Sequence, residues 1–156
     1  NWFFKSQIET VLGDYKSAKE YMDSSMALSG TDDPEYFYGH TLLHLEESEK
    51  ALEIIETEKN EYIEFLQEYP DDLSIMDYIA LAEIYAILKE KDKAFETWET
   101  AINKGWIDIK RNTLYPYFDN LRDDPRYTKL IKLIQNKIDE SKAAIRNEFP
   151  ATKICE

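Results

Sequence analysis

His40 and His44 are the only imidazoles in the chain, and they stand four residues apart. On a helix that spacing puts both rings on one face, where they can share a metal ion, with Glu47 one turn further on. The pattern departs from the H-E-x-x-H zinc signature, because Thr41 stands where the glutamate belongs. The residues therefore point to imidazoles that line a groove or an inter-helix contact and hydrogen-bond there, with no metal and no cofactor. Other catalytic patterns are missing. Gly13, Gly30, Gly39 and Gly105 are isolated, so no glycine-rich loop wraps a phosphate, and no serine sits in a G-x-S-x-G elbow. The 32 Asp and Glu residues are spread along polar faces, which carries no specificity for acid–base work. Cys155 is the single cysteine, which forbids an internal disulfide and reads as a free thiol on a tail. We expect no enzymatic activity.

The elements that position these residues are helices. Only 4 Gly and 5 Pro interrupt 156 residues, a length that suits one domain with a continuous core. An apolar content of 43%, with 13% aromatics, is too high for a disordered chain despite 33% charge. The longest apolar runs, such as Ile79-Ala80-Leu81-Ala82, fall far short of a membrane span. The first residues carry no secretory signal pattern. The opening Asn1-Trp2-Phe3-Phe4, without an initiator Met, leads us to expect a piece or processed product of a longer protein. The cytoplasm is the favoured compartment, with the periplasm left open.

Charge is segregated. Residues 1–103 carry 8 Lys/Arg against 24 Asp/Glu, a balance of −16, whereas residues 104–146 carry 10 against 6, a balance of +4. An acidic body repels phosphate backbones, so nucleic acid is not an expected partner. The cations Lys129, Lys132, Lys137, Lys142 and Arg146 of the last helix can instead meet an acidic neighbour, which raises the prospect of a weak homodimer.

Three pairs of small residues, each twelve apart, organise the chain: Ser6 with Ala18, Gly39 with Ala51, and Ala82 with Ala94. Small side chains at such a spacing let two helices cross closely. Around the last pair the pattern fills out to Tyr78, Leu81-Ala82, Tyr85, Ala94, Trp98 and Ala101. It resembles the tetratricopeptide repeat, a 34-residue helix–turn–helix unit with the signature W-x2-L-G-x2-Y followed by A-x3-F. The first unit, with Trp2, Ser6, Gly13-Asp14-Tyr15, Ala18 and Met22, is degenerate, since Lys5 and Glu9 replace the usual Leu and Tyr. The stretch from Tyr115 to Tyr127 resembles the terminal segment of repeat arrays in bacterial multidomain signalling proteins, P-x-F-x-x-L-R-x-D-P-R-F.

The resemblance implies an all-α solenoid of three hairpins closed by a capping helix. Its repeat domain covers 1–149, with units at about 1–31, 33–70 and 73–105, a terminal segment and cap at 106–146, and a flexible tail at 150–156. Helices are expected at 2–12, 15–28, 73–89 and 91–104, with Asp33 and Pro34 opening the second unit and Gly105 closing the third. Ala51 and Ala94 lie nine residues further apart than one repeat, so residues 48–69 read as one extended helix; a break at Thr57–Asn60 is the alternative. After a loop, Asp124 and Pro125 start the last helix, which buries Tyr127, Leu130, Ile131, Ile134 and Ile138.

In this family the first helix of each pair lines a concave surface. By that analogy Phe3, Phe4, Gln7, Tyr36, Phe37, His40, His44, Met76, Ile79, Glu83 and Ile87 form an apolar groove flanked by acids, suited to an amphipathic or basic peptide. Phe37 and Ile79 should then be dispensable to the fold, whereas Tyr85 and Trp98 should not. Repeats that clamp a partner's terminal carboxylate need cations at places held here by Phe3, Gln7, Phe37, His40, Ala80 and Glu83, none of them a permanent cation. The implied function is a protein–protein interaction module within a larger bacterial protein. The alternative is a regulatory or self-association domain of a multidomain signalling protein.

Overall fold

The computed structural model describes residues 2–30, 35–69 and 73–148, and every regular element among them is a helix. Six helices form three consecutive hairpins: α1 (Trp2–Leu12) with α2 (Tyr15–Ser29), α3 (Tyr36–His44) with α4 (Ser48–Glu68), and α5 (Ile75–Ile87) with α6 (Lys91–Asn103). Neighbouring hairpins meet where α2 packs on α3 and α4 on α5. A short α7 (Ile109–Leu114) and a 3-10 helix (Pro116–Leu121) then lead into α8 (Pro125–Glu148). The 3-10 helix lies against α5, and α8 against α6 and α7.

One turn is used three times, and it explains the spacing of twelve. Gly13, Glu46 and Lys89 each adopt a left-handed conformation, with φ of 79°, 64° and 64°. An acid follows in every case. Asp14, Glu47 and Glu90 each donate an N–H back to Glu9, Leu42 and Tyr85, at 2.9, 3.0 and 2.9 Å. Their carbonyls accept the N–H of Ala18, Ala51 and Ala94, the small residue that begins the return crossing. A left-handed conformation disfavours a side chain by about 1–2 kcal/mol, so only the first turn uses the residue best suited to it. The other two are held by the hairpins they join.

The small residues meet at these crossings. Ser6, Ala18, Gly39, Ala51, Ala82 and Ala94 are all buried. A Cβ added to Gly39 would stand 2.6 Å from Ile55 Cγ1 and 3.0 Å from the Ala51 carbonyl oxygen. Alanine is favoured over glycine in a helix by about 1 kcal/mol, but overpacking costs roughly 1–3 kcal/mol, and neither neighbour here is the loose end of a side chain. Gly39→Ala should therefore lower the urea midpoint, by the equivalent of about 1–2 kcal/mol. A midpoint equal to or above the parent's would mean that α3 and α4 can part without penalty.

Helix limits follow local chemistry. α5 starts two residues later than periodicity suggests, because Ser74 and Asp77 form a reciprocal capping box, at 2.7 and 3.3 Å. α4 runs unbroken through Thr57–Asn60. There Lys59 pairs with Glu56 on its own helix and, at 3.3 Å, with Glu90 at the head of α6. The expected Asp33–Pro34 start lies outside the described residues. Between Gly105 and Pro125, where the sequence places a loop and then the terminal motif, the chain forms two short helices; α7 is capped by Asp108, whose carboxylate accepts the Arg111 N–H at 3.0 Å. Asp124 caps α8 through the Arg126 N–H at 3.0 Å. Tyr127, Leu130 and Ile134 are buried in α8, and from Asp139 to Glu148 every residue is exposed.

Candidate functional site

The residues expected to line an open concave strip are brought together, but beneath the chain's own terminal segment. Tyr117 of the 3-10 helix is buried, donates its hydroxyl to Gln7 Oε1 at 3.0 Å and meets Tyr36 and His40 edge-on, at 5.7 and 5.1 Å. Arg111 of α7 donates to both Glu83 carboxylate oxygens, at 2.9 and 2.8 Å, and to the Tyr36 hydroxyl at 3.0 Å. Tyr36 in turn donates its hydroxyl to Glu83. Glu83 and Ile79 are 0% exposed. Phe37 and Ile87 are buried too, and Phe3 packs edge-on against Phe37 at 5.3 Å. Of the expected strip, Phe4, Met76 and His44 remain exposed. The expectation of an open apolar groove along α1, α3 and α5 is thus corrected: α7 and the 3-10 helix cover that side.

Electrostatics there follow from burial. Burial first, then the Glu83 charge, raises the Tyr36 hydroxyl well above the ordinary phenol value. Burial alone would lower the Arg111 pKa, but hydrogen bonds and charge from Glu83 outweigh it and hold the guanidinium charged. Burial, then the neighbouring His44, pushes the His40 pKa down to about 3. The two imidazoles are neighbours, with Nε2 atoms 3.3 Å apart.

The open cleft lies elsewhere, along one face of α4. Lys50, Glu53, Ile54, Thr57, Glu58, Glu61, Tyr62 and Phe65 recur at helical spacing over about 22 Å. With Glu35 before α3 and Leu73 and Asp77 at the head of α5, they enclose about 670 Å³. Ile54, Tyr62, Phe65 and Leu73 supply an apolar floor, and Phe65 is 43% exposed within it. Five carboxylates stand around it against one cation, Lys50, which lies over the Tyr38 ring at 5.5 Å. Glu58 has a structural duty as well. It accepts the Tyr36 N–H and so caps α3, whose own N-cap side chain makes no such bond. The field is concentrated at Tyr62, whose hydroxyl is raised by burial first and then by Glu58, Asp77 and Glu35.

Sequence reasoning missed this cleft, although a signal was there. The nine-residue excess between Ala51 and Ala94 lengthens α4 beyond its hairpin partner, and the added turns carry Tyr62 and Phe65. Among the described residues no three His, Cys, Asp or Glu side chains cluster as metal ligands, and no helix is long and apolar enough to cross a membrane. No protein-family model, curated protein or solved structure matches this chain.

Proposed function

We propose that this chain is a non-catalytic protein-interaction module, a tetratricopeptide-like repeat array capped by α8, that holds a basic amphipathic helix of a partner protein in the α4 cleft. The observation that carries the reading is the cleft's make-up: an apolar floor running about 16 Å from Ile54 to Phe65, with Phe65 exposed at its end, between five acids and one lysine. That length matches about three turns of a helical ligand, with apolar side chains seated on Ile54, Tyr62 and Phe65 and cations facing the rim. Carboxylates on both sides give direction and speed of encounter more than affinity, and the floor supplies the rest.

The reading is tested by titrating two labelled model peptides of equal length, one of leucine and lysine at amphipathic spacing, the other with glutamate for lysine. The basic peptide should bind and the acidic one should not, with affinity falling as salt rises. Exposed charge pairs are worth about 0–1 kcal/mol each, so the double variant Glu53→Lys/Glu61→Lys should weaken binding about tenfold. Phe65→Ala should do so without unfolding the domain. Equal binding of both peptides, or a double variant that binds as the parent does, would overturn the proposal.

A further inference from the structure

The outer face of α1 carries an apolar stripe that neither the cleft nor the core uses. Ser6 and Thr10 are buried on the inner side of this helix. On the opposite side stand Phe4, Ile8 and Leu12, four residues apart, with Val11 beside them. They are 64%, 57%, 72% and 38% exposed. The later hairpins show what such positions do. With Ser6, Gly39 and Ala82 aligned, Phe4 and Ile8 correspond to Phe37 and Thr41 of α3 and to Ala80 and Ile84 of α5. All four of those are buried. Phe37 meets the Phe3 ring of the hairpin before it, edge-on at 5.3 Å. Ala80 and Ile84 cluster with Leu42, Ala51 and Ile55 of the hairpin before theirs, and not with Trp98 of their own. These positions join a hairpin to the helices that precede it, and in α1 they are apolar and open.

Charge selects what covers them. The chain carries a net −13, and its acidic body repels a second copy over most of its surface. α1 is the exception, with one cation, Lys5, and one anion, Glu9. A strongly basic ligand, which suits the α4 cleft, finds no excess of acid here. We propose that two copies of this chain pair through α1, antiparallel about a twofold axis close to Ile8. That arrangement sets Ile8 on its own counterpart and Phe4 on the partner's Leu12, and it brings matching helix edges together. Lys5 and Glu9 share one edge, a turn apart, so each Lys5 approaches the partner's Glu9. The Trp2 and Tyr21 rings, 4.7 and 5.5 Å from its ammonium, hold Lys5 at that edge. Together with Trp2, the stripe offers on the order of 500 Å² of apolar surface per copy. A pair then buries roughly 1,000 Å², at the low end for a specific interface, which makes the dimer a weak one.

The test is sedimentation velocity of the full chain at concentrations up to about 1 mM, in dilute buffer and in about 1 M salt. A dimer should appear as concentration rises and should hold or strengthen in salt, which screens the repulsion between acidic bodies and leaves the apolar contact intact. Ile8→Glu sets two carboxylates face to face on the axis and should weaken association more than about tenfold. Ile8 is exposed, so the fold should survive, as circular dichroism would check. A second measurement reads the geometry without a stability cost. In a Cys155→Ser background, Ile8→Cys should oxidise to a disulfide-linked dimer, because a residue on a twofold axis meets itself, whereas Ile145→Cys on the exposed end of α8 should stay monomeric. A monomer at every concentration, or parental association of Ile8→Glu, would overturn the proposal. So would a dimer that salt dissolves and that Ile145→Cys captures in place of Ile8→Cys, since the cations of α8 would then make the contact.

Discussion

Arg111→Met should cost about 3–5 kcal/mol of stability, among the largest losses available to a single change in this chain. The reason is what stays behind. Glu83 is 0% exposed, and the guanidinium supplies both its charge partner and two of its hydrogen bonds. Without it, a carboxylate in the middle of an apolar helix keeps only the Tyr36 hydroxyl. Glu83→Leu should be milder, because the Arg111 side chain is 26% exposed and its charge can turn to water. The double variant should recover most of the loss, since replacing a buried ion pair by apolar groups is often neutral or better. A deficit of about 1–3 kcal/mol should persist for the Tyr36 hydroxyl, then buried without its partner, and adding Tyr36→Phe should reduce it. Denaturant melts of the singles and the double would give the coupling directly. At roughly 2–4 °C per kcal/mol for a domain of this size, Arg111→Met should also lower Tm by about 10 °C. A loss under about 1 kcal/mol would show that Glu83 is served by something other than Arg111.

That ion pair also marks the limit of what one sequence discloses. The hairpins were legible because their cause is local. A small residue, a left-handed turn and a second small residue recur at fixed offsets, and the structure buries the small residues at all three crossings. α8 was legible for the same reason, from an Asp-Pro start and an apolar stripe. The covering of α1, α3 and α5 was not, because its bonds span 28 residues from Glu83 to Arg111, 75 from Tyr36 to Arg111 and 110 from Gln7 to Tyr117. A six-residue α7 and a 3-10 helix are too short to show a period. One trace was available: a single carboxylate in the run Ile79-Ala80-Leu81-Ala82-Glu83-Ile84-Tyr85-Ala86-Ile87 has no polar face to occupy. Burial without a partner is prohibitive, so a cation had to arrive from elsewhere. The α4 cleft failed to show for another reason. Its floor has the helical spacing of ordinary core, and only the length of α4 distinguishes the two.

Trp98→Ala should be as damaging as the loss of Arg111, and by a different route. Trp98 is 0% exposed and stacks on Phe118 with centroids 4.6 Å apart, while Tyr127 stands 5.5 Å away. It therefore joins α6 to the 3-10 helix and α8, and truncation opens a cavity at the point where the terminal segment docks. About 3–5 kcal/mol is expected for a buried tryptophan, with early loss of amide protection in α8. Trp98→Phe should be far better tolerated. It keeps the stacking, and it discards an indole N–H that is buried without a hydrogen-bond partner. The comparison extends to Phe37 and Ile79, the two residues that the sequence sets apart as groove positions dispensable to the fold. Both are buried, Ile79 in the same cluster as Trp98 and Phe37 in the neighbouring one. Ile79→Ala should cost about 2–5 kcal/mol and Phe37→Ala about 3–5, so both should melt well below the parent, alongside Tyr85→Ala. Thermal melts of the four alanine variants decide the matter. Parental stability in Ile79→Ala would mean that the terminal segment does not close over α5 in solution, and that the concave side is open after all.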